Sequence, residues 1–173
     1  MNLWVNLAYQ AIQTYLETGQ LLPIPAGLPE HMLEPGAVFV SLHTGSGDLR
    51  GCRGTLTPTE PTLVEAVIKT AVASAVDDPR FPPITLGEME GLDIHVDILS
   101  PLEPVTDVQL LDEKKYGVVI QARQGRAVLL PDIPVVRNVA HQLQLVRQKA
   151  GLAPDEPADL YYFTVTRYHA DSK

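Results

Sequence analysis

The chain holds one cysteine, Cys52, set between two arginines and two glycines in the stretch Leu49-Arg50-Gly51-Cys52-Arg53-Gly54. Guanidinium groups turned toward a thiol favour the thiolate, and the thiolate is the nucleophile. Such a nucleophile needs a base, and His43, a short way upstream, can serve if the two segments fold back on each other. Against this stands the ordinary behaviour of cysteine as a small buried hydrophobe. Arg50, Arg53 and Arg80 form a second constellation, with Arg80 in the run Asp78-Pro79-Arg80-Phe81-Pro82-Pro83. Converging guanidinium groups hold a carboxylate or phosphate through paired hydrogen bonds, and Phe81 would add an apolar wall. The plainer alternative for Arg80 is an ion pair with Asp77 or Asp78 that pins its loop. Gly51 and Gly54 suit a bulge or the close approach of a ligand.

Other motifs carry less. Asp93, His95 and Asp97 alternate with Leu92, Ile94, Val96 and Ile98. That pattern reads as the solvent-facing side of a half-buried strand rather than as a metal site, and no metal or cofactor is assigned. Gly45-Ser46-Gly47-Asp48-Leu49-Arg50-Gly51 lacks the lysine and hydroxyl of a phosphate-binding loop and opens no helix. His31, His141 and His169 have no evident partner in the sequence.

The elements that must position these residues follow from periodicity. Leu3, Leu7, Ala11 and Tyr15 recur at helical spacing, and Gly19 supplies a stop. A proline-rich segment then wraps the surface up to residue 36, and a strand, a tight turn and a returning strand carry His43 and Cys52. Their register has two solutions. A loop of Thr44 to Asp48 puts Val40 opposite Cys52 and His43 on the other face; a loop of Gly45 to Asp48 pairs Ser41 with Cys52 and brings His43 to the same side. Within the returning strand, Arg50 and Cys52 share a face and Arg53 takes the other. A helix follows, with Thr62 and Glu65 as a capping box, and the prolines at 79, 82 and 83 end it. Thr85 and Glu88 suggest another short cap. The strand over Leu92 to Leu99, two strands joined by a turn at Arg123-Gln124-Gly125, a helix from Val135 to Gly151 and a last strand from Asp159 to Tyr168 complete the reading. On that last strand Phe163 and Val165 face the core, and Tyr162 borders a groove. Five or six strands, many hairpin-linked, with three or four helices predict an α+β fold: a mainly antiparallel sheet with flanking helices.

The chain has 173 residues, 21 acidic against 13 basic, for a formal net charge of -8. That balance argues against nucleic acid and anionic membrane surfaces as partners, since both draw on Lys and Arg. One cysteine permits no internal disulfide, and no basic start or long apolar run marks a leader or a membrane span. The expectation is a cytoplasmic protein.

The blocks Leu49-Arg50-Gly51-Cys52-Arg53-Gly54-Thr55, Asp78-Pro79-Arg80-Phe81-Pro82-Pro83-Ile84-Thr85 and Leu92 to Val105 occur in an order that resembles the AMMECR-type domain family. Gly117 to Gln121, Ala127 to Pro131, Lys149 to Leu152 and Leu160 to Tyr168 fit its remaining blocks, so the likeness runs from about residue 3 to 168. The resemblance implies a single α+β domain over 1–173, with 1–36 as the N-terminal helix and wrap and 37–168 as the core. It also implies company with Memo-like and radical-SAM proteins, and no established activity. The family commonly carries an apolar residue, often Ile, where this chain has Arg53, and the segment after Leu130-Pro131 also departs from the usual pattern. Two functional expectations follow. The first is a cleft around Arg50, Gly51, Arg53, Gly54, Arg80 and Phe81 that binds a small anionic molecule or a protein partner. The alternative is an enzyme, or an accessory component of a Memo/radical-SAM system, that depends on Cys52 with His43 beside it.

Overall fold

A computed structural model describes residues 2–123 and 125–170. Gln124, in the expected turn at Arg123-Gln124-Gly125, lies outside the described residues. The chain divides into two compact units, Met1–Leu99 with Thr166–Lys173, and Ser100–Val165. The α+β expectation holds, with the strands in two four-stranded sheets rather than one. Five of the strand pairings described below are antiparallel.

In the first unit, helix α1 spans Leu3–Thr18 and ends where Gly19 takes φ 71°, a left-handed conformation that glycine adopts without strain. Strands β1 (Ala37–His43) and β2 (Leu49–Gly54) form the expected hairpin. Helix α2 (Leu63–Val76) starts on the Thr62 side chain, which accepts a hydrogen bond from the Glu65 N–H. Strand β3 is Asp93–Leu99. Val38, Val40 and Leu42 of β1 and Ile94 and Val96 of β3 point to one side, where they join Val64, Val67, Ile68 and Ala71 of α2 and Trp4, Leu7, Ala8 and Ile12 of α1. Period-two alternation therefore sends Phe39, Ser41, His43, Asp93, His95 and Asp97 to the opposite, outer face.

The second unit holds β4 (Glu103–Pro104), β5 (Gly117–Gln121), β6 (Arg126–Leu129), helix α3 (Val139–Lys149) and β7 (Asp159–Phe163) in the order β4-β7-β5-β6. Val118 and Ile120 pack with Val146 of α3 and with Leu152. Helix α3 begins later than its periodicity suggests, because the Asn138 side chain caps it by accepting the His141 N–H.

The final strand is also not one strand. Asp159–Phe163 pairs in the second sheet, whereas β8, Val165–Tyr168, closes the first sheet in the order β2-β1-β3-β8. The break falls at Thr164, whose N–H donates to Ser100 Oγ and whose carbonyl accepts the Ser100 N–H. Among the described residues no helix is long and apolar enough to cross a membrane.

Candidate functional site

The hairpin combines the two solutions: His43 pairs with Leu49 across the five-residue loop Thr44 to Asp48, and a bulge then sets Ser41 opposite Cys52. Ser41 is in turn paired with His95 on β3, so Cys52, Ser41 and His95 make a row across three neighbouring strands on the outer face. Directly opposed residues in such ladders have Cβ atoms about 4.5–5.5 Å apart. His43 lies two residues along from Ser41 and joins the same face, its Nε2 3.1 Å from Ser41 Oγ. Its Nδ1 is 3.4 Å from the Gly47 carbonyl oxygen. A carbonyl can only accept, so the tautomer that satisfies both contacts carries the proton on Nδ1, and Nε2 accepts the Ser41 hydroxyl. The His43 and His95 rings lie 4.7 Å apart centre to centre, and His169 follows 5.7 Å from His95. Asp93 accepts the His95 Nε2–H at 2.9 Å. Cys52 itself is half-buried.

A register shift falls between Leu42 and His43, which skips Arg50 in the pairing. That bulge frees the Arg50 side chain from the row. Its guanidinium donates to Glu88 Oε1 at 2.9 Å and to the Pro82 carbonyl at 2.8 Å. Glu88 meanwhile closes the capping box of the 3-10 turn Leu86–Gly91. Hydrogen bonds from the Thr85 backbone, together with Arg50, hold its carboxyl below the usual range against the effect of burial. Arg50 thus ties the edge strand to the proline-rich loop.

Because β2 is an edge strand, its outer main-chain groups need partners. There the Cys52 N–H donates to Asp78 Oδ2 at 2.9 Å; the Arg53 N–H donates at 2.9 Å to Ser74 Oγ, which in turn donates at 2.8 Å to the carbonyl of Val40, its neighbour on β1. Asp78, 5% exposed, also accepts Arg80 Nε at 2.9 Å, an Arg80 terminal nitrogen at 2.7 Å and the Arg80 N–H at 3.1 Å. The ion-pair alternative for Arg80 is thus what the structure contains, yet the Arg80 side chain is 56% exposed, with its charge fixed beside the site. The Asp78 hydrogen bond is the main cause of the raised Arg80 pKa, opposed by burial, with a smaller upward contribution from the charge of Cys52. Arg80 also lies over the Phe81 ring, 5.4 Å from its centre.

Arg80 holds the Asp78 carboxyl well below the ordinary carboxylate range, helped by the Cys52 and Arg80 backbone N–H groups and opposed by burial. A carboxyl with a depressed native pKa stabilises the fold fully above its unfolded value, here 3.8, and loses that contribution as pH falls toward the native one. Urea unfolding of the wild type should therefore show stability declining from about pH 4 downward, more steeply than in an Asp78→Asn variant.

The glycines of the motif accommodate parts of the chain. A Cβ on Gly51 would sit 2.2 Å from the Ser74 carbonyl oxygen, and one on Gly54 would sit 2.3 Å from the Phe39 ring. Arg53 is exposed, and by alternation its side chain leaves from the face opposite Cys52. The structure therefore places Cys52 and His43 on one face of the hairpin, ties Arg80 to Asp78, which also accepts the Cys52 N–H, turns Arg50 to the 82–88 segment and sends Arg53 to the other face.

Asp97 departs from the solvated face expected for its strand. It is 3% exposed and takes a two-pronged contact from Arg167, both bonds 2.8 Å. Among the described residues no group of three His, Cys, Asp or Glu side chains is arranged to hold a metal ion. Asp78, Ser74 and Ser41 are the site residues to which sequence reasoning gave no part in the chemistry. Asp78 lies 26 residues from Cys52, so no local pattern signals their contact.

This arrangement belongs to a recognisable class of protein: the AMMECR1 family pattern matches residues 5–172, through both units. The chain is a member of the AMMECR1 family. A Thermotoga maritima protein is 42% identical, the match covering 95% of this chain and 96% of that one. A Clostridium acetobutylicum relative is 36% identical over 95% of this chain but only 35% of its own, greater length. The crystal structure of the uncharacterized protein PH0010 from Pyrococcus horikoshii superposes with a TM-score of 0.89 at 36% identity, covering 97% of this chain and 90% of that one.

Proposed function

We propose that this AMMECR1-family protein binds a small anionic molecule on the outer face of the first sheet, where Cys52 stands beside it as a candidate nucleophile. The observation that carries this reading is the row of Cys52, Ser41 and His95 with His43 hydrogen-bonded to Ser41. In it the Cys52 S–H proton passes to Ser41 Oγ as the Ser41 proton passes to His43 Nε2, leaving a thiolate and an imidazolium. Arg80, held by Asp78 and half in solvent, offers fixed positive charge to the thiolate and to an incoming anion. The greater length of the Clostridium acetobutylicum relative supports action beside further domains or partner proteins. A solitary thiol suits a reducing compartment, which supports the cytoplasm as its location.

The relay is tested by labelling folded protein with iodoacetamide at pH 7 and reading alkylation at Cys52 by peptide mass spectrometry. His43→Ala and Ser41→Ala should each slow the reaction about tenfold or more, with all rates converging in urea. Equal rates in wild type and both variants would remove the base from the account.

A further inference from the structure

We infer that the second unit carries a separate site for a small organic cation, built where β4 meets Tyr162 of β7 and Tyr116 just before β5. A cavity of about 520 Å³ opens there, lined by Glu103, Asp107, Leu110, Leu111, Tyr116 and Tyr162 among others. Its size falls within the range that holds a small ligand, about 300–1,000 Å³. Each part of the lining has a physical origin. Glu103 is the cross-strand partner of Tyr162, and the phenol donates to its carboxylate at 2.7 Å, which fixes the Tyr162 ring. Tyr116 meets that ring edge to face, with centres 5.1 Å apart, so the pair forms an aromatic corner. Asp107 caps the 3-10 turn Val108–Leu110 by accepting the Gln109 N–H, and that turn carries Leu110 out to 72% exposure.

The charge pattern selects the occupant. Both carboxylates keep acceptor capacity after their internal bonds, since an ionised carboxylate has about four lone-pair sites. No arginine or lysine lines the cavity among the residues recorded there. The rings present negative faces, which attract cations and most strongly those that shed water easily. The molecule already shows the preference, because the Lys115 ammonium sits over the Tyr116 ring, 4.9 Å from its centre. Apolar walls at Leu110 and Leu111 beside acidic and aromatic ones fit an alkylammonium group: a methylated or aliphatic amine with its charge toward Glu103 and Asp107. A bare metal ion would gain nothing from the rings or leucines. A neutral molecule would forgo the carboxylates, and a small anion would be repelled.

The test uses the full-length protein, with choline as the probe and 3,3-dimethylbutanol as its uncharged counterpart of the same shape. Titration followed by NMR should show saturable shifts in the ring signals of Tyr116 and Tyr162. Choline should bind at least tenfold more tightly than the alcohol. Glu103→Gln, which keeps the hydrogen bond to Tyr162, should weaken choline three- to tenfold, and Tyr162→Leu should weaken it tenfold or more. Circular dichroism of each variant establishes that it is folded. Equal affinities for probe and counterpart, shifts confined to other residues, or choline binding unchanged in the folded Glu103→Gln variant would overturn the assignment. Because the readout lies in Ser100–Val165, loss of Cys52 chemistry would leave it untouched.

Discussion

Replacing Gly51 with alanine is expected to cost about 3 kcal/mol of stability, and on the order of 10 °C in Tm. The added Cβ would lie 2.2 Å from the carbonyl oxygen of Ser74. That oxygen belongs to the backbone of α2, so relief requires the helix and β2 to part. The same separation would stretch the bond from the Arg53 N–H to Ser74 Oγ, which itself lies 2.8 Å from the Val40 carbonyl. One methyl group thus opposes the stitching of edge strand to helix, and Cys52 rides on that strand. Gly87→Ala is the matched control: its Cβ would meet nothing within 4 Å, and the change should be neutral or slightly stabilising. Urea denaturation of the two variants separates crowding from a general effect of losing a glycine.

Asp78→Ala should be the second large loss, about 2–4 kcal/mol. Removing this carboxylate strips the acceptor from the Cys52 N–H and leaves Arg80 without its two-pronged partner. Asp78→Asn retains an acceptor for the Cys52 N–H but no charge for Arg80, and should lose about half as much. The two variants distinguish the hydrogen-bond role from the ionic one, and the Arg80 guanidinium, once released, should also slow Cys52 labelling. Denaturant midpoints at pH 7 and at pH 3 check this, with the gap between wild type and Asp78→Asn narrowing at the lower pH.

Local chemistry made much of the fold legible. Gly19, Thr62 with Glu65, and Thr85 with Glu88 mark element ends through contacts within a turn of the chain, so their residue types suffice. The alternation of Leu92, Ile94, Val96 and Ile98 identifies the inner face of β3 for the same reason. The hairpin register was a different matter. Alternation is satisfied by two pairings one residue apart, and a bulge at Arg50, which no residue pattern announces, moves the strand from one to the other and sets Ser41 opposite Cys52. The run Asp159 to Tyr168 alternates without interruption, so nothing in it announces that Thr164 leaves one sheet for the other; that break rests on Ser100, 64 residues away. Asp97 reads as solvent-facing until β8 brings Arg167 beside it. Cys52 and His43 could be named as candidates by chemistry alone, and Asp78 as a neighbour able to pair with Arg80; the hydrogen bond from the Cys52 N–H to Asp78, 26 residues away, is visible only in three dimensions.

The central claim is that Cys52 is a nucleophile set beside fixed positive charge. The most direct measurement is the rate of its reaction with iodoacetate divided by that with iodoacetamide, in folded protein and in urea. The anionic and neutral reagents have the same leaving group, so the ratio isolates the field at the thiol. Folding should raise the ratio about tenfold, equivalent to about 1.4 kcal/mol, with Arg80→Gln abolishing the rise and Arg80→Lys retaining most of it. A ratio unchanged by folding, or a thiol that reacts with neither reagent until the protein unfolds, would contradict the account and make Cys52 a packing residue.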